Sequence, residues 1–200
     1  MKRIFTLLLL FFFYTLKAQK QDYISISITN NATAYPFAKF IGFVTEPVHP
    51  GVEAGLSRTI KVKKKHDWFR EFRLGYFYHR FVQHGIPLYA NIGYRYKFSS
   101  RFSAEAALGG GYLHSIPATA KLKLNSSGEY KNNKGIGRAQ GIAGLGISTG
   151  YILTPSSKKP LKLFVTYQQR LQMPFVKSYV TFLPYNCFMI GISQPIQLKK

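Results

Sequence analysis

From Ile86 to Phe98 every second residue is apolar or aromatic, and after a Ser99-Ser100-Arg101 turn the alternation resumes from Phe102 to Tyr112. Ile86, Leu88, Ala90, Ile92, Tyr94, Tyr96 and Phe98 make one series; Phe102, Ala104, Ala106, Leu108, Gly110 and Tyr112 make the next. Between them stand polar or small residues such as Asn91, Gly93, Arg95 and Lys97, then Ser103, Glu105, Ala107 and Gly109. A period of two means extended chain with one apolar face and one polar or small face. Both runs are longer than the usual five- or six-residue strand. They suit a tilted strand of about 9–11 residues that crosses a bilayer.

The same signature recurs along the chain. Ile24, Ile26 and Ile28 alternate with Ser25, Ser27 and Thr29, which predicts a first strand over 22–30; the aromatic segment 37–45 is the alternative first strand. Further strands are expected over 51–62, 68–79, 139–153, 161–172 and 188–193. The chain is therefore expected to be all-β, with eight antiparallel strands in an up-and-down meander. The connections sort by end. Turns at 63–67, 99–101 and 154–160 are short and share one end, whereas the connections at 30–50, 115–138 and 173–184 are long and share the other, with 80–85 as the short exception. A transmembrane β-barrel shows this asymmetry, and a soluble sandwich has no reason to.

The N-terminus supports export. Met1-Lys2-Arg3 precedes an uncharged run from Ile4 to Leu16, then Lys17-Ala18-Gln19: a positive region, an apolar core and a small residue at a cleavage point. The expected organisation is a signal peptide over 1–18 and one barrel domain over 19–200. The apolar run is short of the ~20 residues a spanning helix needs. Cys187 is the single cysteine, so no internal disulfide is expected.

The inner face of such a barrel carries charge. By alternation Glu53, Glu71, Arg73, Arg95, Glu105, Lys162 and Arg170 all point inward, on different strands. Eight strands enclose only enough room for side chains to fill, so these charges must pair across the lumen. Trp68, Tyr96, Phe98, Phe102 and Tyr151 at the short-turn end, with Tyr78 and Tyr112 at the other, form interfacial girdles. Arg58 and Arg70 fall on the apolar face near the short-turn end, where a long side chain reaches headgroups.

A net charge of +21 points to anionic lipid or phosphate-bearing glycolipid as the partner. No zinc-finger, ribonucleoprotein or basic-helix pattern is present, so nucleic acid is not expected. Lys121, Lys123, Lys131, Lys134 and Arg138 cluster in or beside the 115–138 loop as candidate glycolipid contacts. His49, His79, His84 and His114 map to the long-loop rim. His79, His114, Ser115 and Glu53 are candidates for acyl-transfer chemistry, which needs a base, a hydroxyl and a carboxylate together. His114 and Ser115 are adjacent, however, and should face opposite ways. No histidine pair has the spacing of a helical metal site, and neither metal nor cofactor is expected.

With leader, hairpin and loop asymmetry in hand, the chain resembles the small outer-membrane β-barrel proteins of Gram-negative bacteria. That resemblance implies a place in the cell outer membrane, contact with outer-membrane lipid and lipopolysaccharide, insertion by the barrel assembly machinery, and a monomer. The family often ends on an aromatic residue, whereas this chain ends Gln197-Leu198-Lys199-Lys200. The expected role is a structural or surface-binding barrel with a plugged lumen, whose loops meet envelope glycolipid or external ligands. The alternative is a lipid-modifying enzyme of the outer leaflet, a lipid A acyl hydrolase or acyltransferase.

Overall fold

The computed structural model describes residues 21–33, 47–120, 122–132, 135–157, 159–176 and 180–196. The expected leader lies outside them, as does the whole of the alternative strand 37–45. The first strand is β1, Asp22–Ala32. It is followed by β2 (Pro50–Val62), β3 (His66–His79), β4 (Gln83–Lys97) and β5 (Phe102–Pro117). Next come two short strands, β6 (Leu122–Leu124) and β7 (Tyr130–Asn132). Then β8 (Arg138–Ile152), β9 (Lys162–Met173) and β10 (Leu183–Ile196) complete the chain.

The eight long strands pair antiparallel with their neighbours, and β10 closes on β1. Closure pairs every strand edge. In a bilayer that is a requirement, because hydrocarbon offers no partner for a bare N–H or C=O. Stepping from Asp22 across each registered partner in turn brings one back to β1 at Ala32, ten residues further on. This shear tilts the strands and lets the ring close.

The two faces are chemically opposite, as the alternation requires. Outward side chains are apolar and exposed: Ile26 is 59 % exposed, Leu74 52 % and Ile192 42 %. Such a belt is stable only against hydrocarbon. No helix among the described residues is long and apolar enough to cross a membrane, so the crossing is made by strands. Inward side chains are buried and mostly polar or charged, among them Glu53, Arg73, Gln168, Arg170 and Gln172. Bulky inward rings face glycines on the neighbouring strand: Phe69 lies over Gly93 and Phe77 over Gly85.

Two features depart from the sequence reading. The 115–138 segment is not loop throughout, because β5 runs to Pro117 and β6 pairs with β7 in a separate hairpin. That hairpin turns at Asn125, whose Oδ1 accepts from the Ser127 and Glu129 N–H groups, and at Gly128, whose φ of 81° suits a residue without Cβ. The last strand starts at Leu183 rather than Phe188, which shortens the connection expected over 173–184. Pro184 hid this start, since proline is unusual in a ladder. The run Gly109-Gly110-Gly111 is a place of close approach: a Cβ at Gly109 or Gly111 would run into the β4 backbone.

Candidate functional site

The lumen is the most highly organised polar region, and its layers follow from which strands place which charges inward. Nearest the short-turn end, Arg95 of β4 and Glu105 of β5 are direct cross-strand partners, with Arg95 Nε 2.7 Å from Glu105 Oε1. Lys162 of β9 reaches the same carboxylate oxygen from across the lumen. Asp67 of β3 takes Lys97 Nζ at 2.8 Å and Arg95 at 3.9 Å. The Arg95 guanidinium also lies 5.1 Å from the Phe69 ring centroid. A polar-lined cavity of about 60 Å³ sits among Arg73, Arg95, Glu71, Glu105 and Lys162, large enough for water.

The next layer is tighter. Arg73 Nε meets Glu71 Oε2 at 2.9 Å, and Asn91 Nδ2 donates to the same oxygen. Glu53 is held between Arg170 Nη1 at 2.7 Å and the Tyr89 hydroxyl, which donates to it at 2.6 Å. Arg170 Nη2 in turn donates to the Tyr89 oxygen at 2.6 Å, and Arg170 Nε to Gln168 Oε1 at 2.9 Å. The Arg170 and Glu53 side chains are 0 % and 2 % exposed. Charges so buried are tolerable only when paired and hydrogen-bonded, and these are.

Beyond this layer the lumen is neutral apart from Arg138 near the rim. Phe77, Leu113, Ile142 and Tyr185 pack with Tyr89 as an apolar cluster. At the long-loop mouth the amides of Gln83 and Gln172 exchange two hydrogen bonds, at 2.6 and 2.9 Å. Gln172 Nε2 also donates to Gln140 Oε1 at 2.6 Å, and Ser115 Oγ donates to Gln83 Oε1. The lumen is thus ionic toward the short turns and sealed by amides and rings toward the long connections.

All seven lumen charges expected from alternation are here, joined by Asp67 and Tyr89. Asp67 falls in the turn expected over 63–67, although it lies two residues before Phe69 on the same inner face. Tyr89 shares the inner face with Asn91 and Arg95, and that parity was the available signal.

The acyl-transfer candidates are not brought together. Ser115 is buried and faces inward onto Gln83, whereas the His114 ring contacts Tyr112 Oη at 2.9 Å and the Ile136 carbonyl at 2.9 Å. Glu53 is occupied by Arg170 and Tyr89. His79 stacks on His49 with ring centroids 3.7 Å apart, and its Nε2 lies 2.8 Å from Thr33 Oγ1. Among the described residues no group of three His, Cys, Asp or Glu side chains could hold a metal ion. Of the five basic loop residues, Lys123 and Lys131 are exposed and directly opposite each other on β6 and β7. Arg138 turns inward instead, its guanidinium 5.6 Å from the Phe175 ring centroid. Lys121 and Lys134 lie outside the described residues.

A closed ring of eight antiparallel strands, an apolar belt outside and a polar plugged interior define the class. The chain is a membrane-spanning β-barrel. No protein-family model matches the sequence, and no curated protein matches it. Solved structures with similar architecture include Ail, the attachment invasion locus protein of Yersinia pestis, at 12 % identity over 90 % of this chain and 100 % of that one, TM-score 0.47. Neisserial surface protein A is similar at 9 % identity over 88 % of this barrel and 97 % of its own chain, TM-score 0.47. The outer membrane enzyme PagL is similar at 8 % identity, covering 88 % and 99 %, TM-score 0.44.

Proposed function

We propose that this barrel is a non-conducting surface protein whose long-loop end binds the anionic glycolipid of the outer leaflet. The observation that carries the reading is the β6–β7 hairpin. Lys123 and Lys131 stand directly opposite each other there, both exposed. Like charges facing across a two-stranded ribbon are unfavourable alone and become favourable when an anion lies between them. Each lysine near an anionic surface contributes about 1 kcal/mol, an effect that fades with salt. The sealed amide layer supports a binding rather than a diffusive role. The signal peptide over 1–18, insertion by the barrel assembly machinery and a monomeric state belong to the same reading.

The test is lipopolysaccharide binding by the refolded barrel against a variant with Lys121, Lys123, Lys131 and Lys134 changed to Gln. Binding at low salt is expected to weaken in the variant, and the difference to shrink as ionic strength rises. Equal binding at low salt would remove the hairpin from the glycolipid site.

A further inference from the structure

The outer face carries a depression of about 480 Å³ across β4, β5, β8, β9 and β10. Its floor is made of small side chains, Ala104 and Ala106 of β5 with Thr149 of β8. Two registered rows cross it: Tyr96, Ala104, Thr149 and Val165, then Tyr94, Ala106, Ile147 and Tyr167. Phe188 of β10, opposite Tyr167, raises the far wall. Large rings therefore flank a floor two residues wide. Within the second row Tyr167 points outward yet is 9 % exposed, whereas Ile147 opposite it is 59 % exposed.

The depression stops one row short of a cation at the short-turn rim. One row below Ala104, Phe102 pairs with Tyr151, and Arg101 donates to the Tyr151 hydroxyl at 3.4 Å. Arg101 is exposed at that rim. The feature has an apolar lining two rows long and a positive group one row beyond it, at the short-turn rim.

We propose that this depression seats an acyl chain of an anionic phospholipid from the leaflet at the short-turn end, with its phosphate on Arg101. The inference rests on the membrane placement of the barrel and not on the glycolipid site at the opposite end.

Native mass spectrometry of the detergent-refolded barrel, equilibrated with equal phosphatidylglycerol and phosphatidylcholine, tests it. The wild type is expected to retain one phosphatidylglycerol several-fold more than phosphatidylcholine. Ala106→Trp, which fills the floor, should lose retention of both lipids, and Ala104→Leu, a milder filling, should lower it. Ile26→Trp, on the outer face of β1, should leave retention unchanged. Arg101→Gln should abolish the preference while keeping the chain. Heat-modifiable migration confirms that each variant is a folded barrel. Equal retention by wild type and both floor-filled variants would overturn the site, and if Ala106→Trp does not fold, equal retention by Ala104→Leu alone would do so. An unchanged lipid preference in Arg101→Gln would overturn the phosphate contact. Retention of lipopolysaccharide in place of phosphatidylglycerol, lost on filling the floor, would overturn the phospholipid assignment. Lipopolysaccharide binding by the lysine variants is read separately, so either proposal can fail alone.

Discussion

The two halves of the lumen are plugged by different physics. Toward the short turns, carboxylates and cations on β2, β3, β4, β5 and β9 form ion pairs around a small cavity. Toward the long connections, amides, a serine hydroxyl and aromatic rings close the space without a paired charge. A buried ion pair gains little over an apolar plug, yet losing one partner is expensive because the survivor is stranded. A neutral amide cluster risks less, since a lost partner strands only a dipole. The ionic half should therefore be the more fragile to single substitutions wherever it is dry, and more forgiving where water can enter.

Single substitutions test this contrast. Arg170→Met should do the most damage, because Glu53 would be left buried with Tyr89 and a distant Arg73 as partners. A loss of about 3–5 kcal/mol in urea unfolding of the refolded barrel is expected, as for other buried pairs broken on one side; a loss under about 1 kcal/mol would show the site to be hydrated. Gln172→Leu in the neutral half should cost about 1–3 kcal/mol, by leaving the Gln83 and Gln140 amides short of a partner. A larger loss than that of Arg170→Met would invert the comparison.

Arg95→Met should cost about 1 kcal/mol, the net worth of an ordinary hydrogen bond, since Lys162 still meets Glu105 and the adjoining cavity admits water. Arg95→Glu should cost more, by adding a like charge beside Glu105 and Asp67. Equal urea midpoints for wild type and Arg95→Glu would mean that these charges do not sense one another. The smallest expected effect on stability is at the ends themselves. Cysteine at Asn132 should react with a membrane-impermeant maleimide on intact cells and cysteine at Ser100 should not, with neither change affecting stability. The reverse labelling would exchange which half of the lumen faces out.

Much of the barrel was legible because a period of two survives tertiary folding: each long strand shows its lipid face in the bare sequence, as Ile24, Ile26 and Ile28 do. The lumen charges were legible for the same reason. What alternation cannot carry is contact between strands distant in sequence. Glu53 meets Arg170 across the lumen, and nothing in either strand names the other. The β6–β7 hairpin was missed because Leu122–Leu124 and Tyr130–Asn132 are too short to show a period, although Asn125 to Gly128 is a turn sequence. The outer depression depends on small residues of β5 lying beside rings of β4 and β9, a difference in size that only the register reveals.

That register has a further consequence. Hydrophobic alternation is a degenerate code: a strand slipped by one residue is rejected at once, but a slip of two presents the same faces and passes. The charged pairs remove the degeneracy. A two-residue slip between β4 and β5 would set Arg95 against Ser103 or Ala107 in place of Glu105. The ionic half of the lumen is in this sense an error check on assembly, comparing each new strand with those already laid down and penalising the mismatch that the lipid face cannot detect.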